Sequence, residues 1–233
     1  MSQLEIFRPR QLSRWQRMRN SLRSYTIGPM SLKDRELVRH FGGRNVSSGV
    51  SVSEDTAMNY AAVFAAVDII SASISSVPLV LYKKDGQGGR EKFESHPLYR
   101  LIHDRPNPEM GSSVFRKTLQ AHKLIWGNGY AEIERDMVGR PVALWPLLPY
   151  AMRPFYEGGR LKYRYTHGNS EVVYMPSDVL HIRGLGDTGV EGYSVINRAR
   201  ESLGLGIAAE RFGGAFFGNG STFGGIITYP AGM

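Results

Sequence analysis

Residues 127–145 read "GNGYAEIERDMVGRPVALW", a glycine-rich turn running into Glu132, Glu134 and Asp136 at alternate positions. Two readings compete: a phosphate-cradling loop leading to a metal site, or a helix end followed by the wet face of a strand. A phosphate loop opens a helix and carries a Lys-Ser/Thr pair after its glycines. No such pair follows here. Instead "GNG" comes after "SSVFRKTLQAHKLIW", in which Phe115, Leu119, His122 and Trp126 recur on one helical face. The spacing predicts a helix over 112–129, starting at Ser112 or Ser113, that Gly127–Gly129 closes.

Period two then places Glu132, Glu134 and Asp136 on one face of a strand over 130–137, with Ala131 and Ile133 on the other. Paired carboxylates can hold Mg²⁺ or work as acid and base, so these three are the candidates for a Mg²⁺-dependent hydrolase. An acid working near neutrality needs a desolvating neighbour, and no adjacent residue supplies one. An acidic face over an Ala/Ile face is also what an ordinary half-exposed strand shows, and this is the favoured reading.

Working outward, strands are expected at 130–137, 140–148, 151–156, 160–167, 171–175 and 179–184. The turns between them are "VGRP", "EGGR", "HGNS" and "MPSD". In "LKYRYTH", Leu161, Tyr163 and Tyr165 share the buried face while Lys162 and Arg164 share the other. Upstream, Ser51 and Glu54 form a capping-box signature for a helix over 55–77 that Pro78 ends. Its Val63, Val67, Ile70, Ile74 and Val77 make one apolar stripe, expected to face a core or a neighbouring subunit. Four serines, Asp68 and Pro78 argue against a membrane span over 60–82. "PLVLYKKDGQGGREKF" reads as a hairpin, and "HPLYRLIHDRPNPEMG" as a short helix broken by a proline turn.

A third helix is expected over 194–217, roughly 36 Å long. It ends in "FFGNGS", an echo of "IWGNGY" that suggests a shared C-cap. Inside it, Gly204-Leu-Gly206-Ile-Ala-Ala209 mimics a dinucleotide fingerprint without the preceding strand, so close packing explains the small residues. The chain then reads "GGIITYPAGM". A domain rarely stops on a fresh strand, which points to a chain truncated at its C-terminus.

Net charge is +8, but ten Lys/Arg against three Asp/Glu fall in residues 1–45 and the rest is close to neutral. A body that gripped nucleic acid by neutralising phosphates would carry the excess itself. The basic arm, with Leu12, Trp15, Met18 and Leu22 at helical spacing among arginines, can lie on an anionic surface, DNA or RNA, or be a poorly ordered tail. It has no apolar signal-sequence core, although it shares the Arg/Ser richness of a transit peptide. The absence of cysteine excludes disulfides, thiolate zinc sites and cysteine nucleophiles. The six histidines show no i, i+4 pair, and His181 in "DVLHIRG" reads as a packed or hydrogen-bonded strand residue. No serine sits in a G-x-S-x-G turn. Neither a catalytic site nor a cofactor or metal is called for.

Several stretches, in order and spacing, carry a wider pattern: "NYAAVFAAVDIISASISSVPLVLY", "HPLYRLIHDRPNPEMGSSVFRKTL", "GNGYAEIERDMVGRPVALWPLLP", "DVLHIRGLGDTGVEGYSVINRARESLGLGIAAERFGGAFFGNGS" and "GGIITYP". From about Val46 onward the chain resembles the portal proteins of tailed bacteriophages. The resemblance implies a non-enzymatic subunit of a ring of about twelve copies at one capsid vertex, through which double-stranded DNA enters and leaves without sequence readout. Implied partners are the terminase motor, the major capsid or scaffold protein, and a head-completion or tail adaptor protein. The implied location is the virion, with assembly in the host cytoplasm.

The implied fold is α+β: a portal-like protomer with a wing helix and hairpin, long stem helices and a β-rich clip, its crown absent. On this analogy 1–45 is the uncovered arm, 46–111 wing, 112–129 a first stem-like helix and 130–193 clip-like. Residues 194–220 would form a second stem-like helix, and 221–233 the start of a truncated remainder. Candidate channel or subunit-interface residues are Arg198, Arg200, Glu201, Glu210 and Arg211, with a solvated face as the alternative. Candidate clip or motor-facing residues are Glu132, Glu134, Asp136, Arg140, Glu157 and Arg160.

Overall fold

The computed structural model describes residues 44–220 apart from Gln87 and Asn169. Residues 1–43 of the basic arm, and "GGIITYPAGM", lie outside the described residues. The chain opens with a two-stranded ribbon, β1 (Arg44–Asn45) and β2 (Ser51–Val52), followed by α1 (Glu54–Met58) and α2 (Ala61–Ser76). The hairpin β3 (Tyr82–Lys84) and β4 (Arg90–Lys92) leads to a single turn, α3 (Pro97–Tyr99), which widens into a π-type turn at Arg100–Asp104. Next comes α4 (Ser112–Trp126), then β5 (Asn128–Arg135), β6 (Pro141–Leu147), β7 (Met152–Glu157), β8 (Arg160–His167), β9 (Ser170–Tyr174) and β10 (Val179–Arg183). The described chain closes with α5 (Val195–Arg198) and α6 (Arg200–Gly218). The α+β class and all six strands of the β-rich middle stand as expected.

The six strands form two antiparallel three-stranded sheets, ordered β10-β5-β6 and β7-β8-β9. The β10-β5-β6 sheet is covered on both faces. Ala131 and Leu144, with Ile133, Leu180 and Ile182, pack under Phe115 and Leu119 of α4. On the other face Tyr130, Leu147 and Val179 meet Met152, Tyr163, Tyr165 and Tyr174 of the β7-β8-β9 sheet. A third cluster joins Val46, Val50, Val52 and Ala57 to Ile125 and Ile196, tying the N-terminal ribbon to the ends of α4 and α5.

Double cover corrects the sequence reading of β5. Glu132 is not on a wet face: it is 5% exposed, opposite Trp145 of β6 and Val179 of β10. Alternation marks two unlike faces of a strand, but it cannot report that a second sheet covers the polar one.

Three helix expectations also change. The first helix begins at α1 and breaks before α2. Its cap is Ser53, whose hydroxyl accepts from Thr56 N while Thr56 Oγ1 accepts from Ser53 N. The Ser51/Glu54 pair is not the box. In α2 only Val63 and Val67 of the apolar stripe pack on the core. Ile70, Ile74 and Val77 face outward, and the buried positions are Ser71 and Ser75. Their hydroxyls are satisfied within the helix, on Asp68 O and Ala72 O. Such small, self-satisfied side chains let α2 approach α4 closely, where Lys117 pairs with Asp68 and Arg116 donates to Ser75 O.

The third helix is kinked into α5 and α6 at Ala199 (φ −91°, ψ 10°). Each half docks on a different surface. Ser194 and Ile196 anchor α5 on the end of α4, whereas Gly204 and Gly206 of α6 admit Val46 and Tyr60, which a Cβ would strike. The two "GNG" closures differ as well. Gly127 itself is left-handed (φ 83°) after α4, but after α6 the left-handed residue is Gly220 (φ 75°).

At the junction of these parts the chain crosses itself through glycines. A Cβ on Gly192 would lie 2.1 Å from Gly127 O, and one on Gly184 2.6 Å from the same oxygen, to which Gly184 N donates at 2.8 Å. Gly192→Ala is expected to lower the urea-unfolding free energy by more than about 1 kcal/mol, because backbone cannot yield as a side chain does. Gly214→Ala, in open space on α6, should raise it by about 0.5–1 kcal/mol.

Candidate functional site

The opening carboxylates do not converge on a common point. Glu134 Oε2 accepts from Trp145 Nε1 at 2.7 Å across the β5–β6 pair. Asp136 lies past the end of β5 and closes the hairpin turn, accepting from Val138 N, Arg140 N and Arg140 Nε at 2.8–2.9 Å. These donors, the backbone of Arg140 first, hold the Asp136 carboxyl below its ordinary range. With Glu132 buried, two of the three have defined structural jobs and none is part of a His/Asp/Glu cluster fit for a metal among the described residues.

The other clip-side candidates lie on or near hairpin tips. Arg140 pairs with Asp136. Glu157 and Arg160 face each other at the β7–β8 turn, where Lys162 Nζ donates to Glu157 and holds its carboxyl low.

The described cavities include a cleft of about 750 Å³ where the end of α4, the start of β5, the start of β7 and the loop before α5 meet. Its floor is built around Asn128, which bridges two segments: its side-chain oxygen accepts from Gly192 N at 2.8 Å and its amide donates to Gly192 O at 3.1 Å. His181 Nε2 lies 3.0 Å from the same Asn128 oxygen, and His181 Nδ1 lies 3.2 Å from the Tyr163 hydroxyl. The network is consistent if His181 donates through Nε2 and accepts from Tyr163. The ring stacks on Tyr130 at 4.3 Å. The packed, hydrogen-bonded His181 read from sequence is what the structure holds.

Of the channel or interface candidates, Arg198 and Arg200 come together at this cleft. The Arg198 guanidinium lies 3.8 Å from the centre of the Tyr193 ring, and the Tyr193 hydroxyl, hydrogen-bonded to Asp187, pulls that carboxyl down. Arg200 donates to Asn197 Oδ1. Glu201 turns the other way: its Oε2 accepts from Ser47 N and Ser47 Oγ, at 3.1 and 2.7 Å, and so pins the N-terminal ribbon to α6. Glu210 and Arg211 are exposed further along α6, away from the cleft lining. Sequence reasoning missed Asn128 and the loop glycines of "RGLGDTGVEGYS". Their signal was the density of glycine on both sides of the junction.

With this geometry established, the family assignment follows. The family model described as phage portal protein matches residues 61–233, and the chain belongs to that family. It is 30% identical over 172 residues to the portal protein of Enterobacteria phage HK97, covering 73% of this chain and 41% of that protein. It is 32% identical over 206 residues to a probable portal protein of Streptomyces phage phiC31, covering 82% and 44%. Among solved structures, a chain in the neck of an empty gene transfer agent particle, computed with C6 symmetry, shares the fold: TM-score 0.60, 23% identity, 80% of this chain and 52% of that one. The chain thus spans less than half the length of the curated relatives it matches.

Two measurements probe the junction and the turn. Burial lowers both His181 and His122 from 6.5 to about 4, with Arg183 adding to the effect on His181. Each ring is therefore neutral when folded and gains a proton on unfolding below pH 6.5. The stability that depends on them is complete above pH 6.5 and is lost as the pH falls toward about 4. The thermal midpoint should decline across that window, and His122→Leu should flatten the decline. Asp136→Ala should speed amide exchange at Val138 and Arg140, seen by NMR, and lower the thermal midpoint, while Asp136→Asn should fall between it and the parent.

Proposed function

We propose that the chain is part of the wall of a portal ring: a structural, non-catalytic subunit whose identical copies surround a passage for double-stranded DNA. The observation that carries this reading is the match of residues 61–233 to the portal family. Two features support it. Isoleucines and phenylalanines on α2 and α6, including Ile70, Ile74, Phe212 and Phe217, are exposed, and a solitary protein in water seldom leaves such stripes uncovered. Outside the basic arm the chain is close to neutral, and Arg140–Asp136, Lys117–Asp68, Lys162–Glu157 and Arg164–Glu171 are paired locally. A passage that must let DNA slide is better served by a near-neutral body than by a strongly basic one, because each phosphate neutralised adds sequence-independent affinity.

Within this reading, 46–111 is the wing part and 112–129 and 194–220 are the stem-like helices. The hairpins of 130–193 form a clip-like segment that meets the terminase motor and later a head-completion or tail adaptor protein. The capsid or scaffold protein surrounds the ring at its vertex, and assembly takes place in the host cytoplasm. Glu132 no longer belongs among the motor-facing residues, since it is buried; Arg140, Glu157 and Arg160 remain at exposed tips.

Native mass spectrometry and negative-stain images of the purified protein should show closed rings of about twelve subunits. A monodisperse monomer that cleaves a phosphoester, and loses the activity in Glu134→Gln, would overturn the proposal.

A further inference from the structure

The described body begins at Arg44, and the register of the β1–β2 ribbon fixes where the preceding arm is attached. Arg44 lies opposite Val52, and Asn45 opposite Ser51. Antiparallel pairing therefore brings the start of the described chain to within two residues of Glu54. Glu54 lines the cleft of about 750 Å³, and its Oε1 accepts from Nδ2 of Asn197, another lining residue, at 2.9 Å. The ribbon also backs onto the wall of that cleft. Val46, Val50 and Val52 cluster with Ile125 and Ile196, whose neighbours in sequence, Trp126 and Asn197, line it. The basic arm thus joins the body at the mouth of the cleft.

One donor at that mouth is unspent. Arg200 donates through Nη2 to Asn197 Oδ1, but its Nε is buried with no acceptor among the described residues. A buried guanidinium N–H costs stability until an acceptor reaches it. Elsewhere in the lining, Trp126, Tyr150 and Met152 offer apolar surface and Glu191 a negative charge. The stretch next to the attachment point, "RELVRHFGG" (35–43), has the matching chemistry. Leu37 and Phe41 are apolar, Arg35 and Arg39 are cationic, and Glu36 and the backbone carbonyls are acceptors. Gly42 and Gly43 let the chain reverse direction before Arg44. The seven residues from Leu37 to Arg44 reach at most about 24 Å, and a cleft of this size encloses a ligand of a few side chains. We propose that residues 35–41 of the chain's own arm fill the cleft. Leu37 and Phe41 lie against Trp126 and Tyr150, an arginine faces Glu191, and an arm acceptor takes the proton of Arg200 Nε. A segment tethered at the mouth has an effective concentration of about millimolar, which favours it over a free partner. Docked there, the arm braces Gly192 and Tyr193, which form part of the lining. The contact lies within one chain and is independent of the ring reading.

The full chain, which has no native cysteine, carries the test. His40→Cys with Thr188→Cys puts one thiol beside Phe41 and one at the cleft. A short bis-maleimide is added and the products are separated on a denaturing gel and mapped by mass spectrometry. The expected product is a cross-linked monomer, lost when Leu37→Ser and Phe41→Ser are added. A dimer-sized product with no internal link would assign the segment to a neighbouring copy. No link at all, or a link that survives the serine substitutions, would show that the arm has no seat in the cleft. Each of these results overturns the proposal. In the cysteine-free chain, Leu37→Ser with Phe41→Ser should speed amide exchange over 187–193 several-fold and leave that of β8 unchanged. Equal exchange in the two chains would overturn the contact. So would faster exchange throughout, since the segment would then serve the whole fold and not the cleft.

Discussion

The helices and sheets of this fold meet at a place where three segments approach one another through glycines. The end of α4, the exit of β10 and the approach to α5 cross at Gly127, Gly184 and Gly192, at separations that leave no room for a Cβ. The crossing fixes where the first long helix stops and where β5 starts, and it sets the distance at which Asn128 can bridge to Gly192. His181 is hydrogen-bonded to Asn128, stacks on Tyr130 and meets Tyr163 edge-on, which joins the two sheets. A protein that must hold a helix, two sheets and a second helix at fixed angles gains from such a joint. Backbone hydrogen bonds are short and directional, and no rotamer can slacken them.

The features legible in the sequence were those set by local chemistry. Six strands and their turns followed from alternation and glycine placement, and Gly127 identified itself as the close of α4. The failures share one cause: periodicity reveals that an element has two unlike faces without saying which one is covered. On β5 the acidic face of Glu132 turned inward because a second sheet lies over it. On α2 the serine face turned inward because serine lets helices approach, and the isoleucines were left outside. The kink at Ala199 was hidden for a related reason: both halves of the helix have good helical sequence, and only their separate anchors, Ile125 for one and Val46 for the other, pull them apart.

The charged residues of the candidate site were legible, but not their roles, and Asn128 with the loop glycines was not. Arg198, Arg200 and Glu201 stand close together in sequence and were grouped as channel or interface charges. In the fold, Arg198 lies on Tyr193, Arg200 ties to Asn197, and Glu201 holds the N-terminal ribbon. Likewise the three carboxylates that suggested chemistry are distributed among burial, a cross-strand bond to Trp145 and a turn. These charges hold the chain's own parts in place.

The inward serines of α2 have a consequence for how the protein comes to be made. On the ring proposed above, α2, with Ser71 and Ser75 inside and its isoleucines outside, keeps an apolar face in water until a neighbouring copy covers it. The yield of soluble protein is then governed by a race between covering that face correctly and covering it by chance. Synthesis rate, local crowding of nascent copies and temperature become determinants of assembly fidelity, although none of them alters a contact within the folded chain.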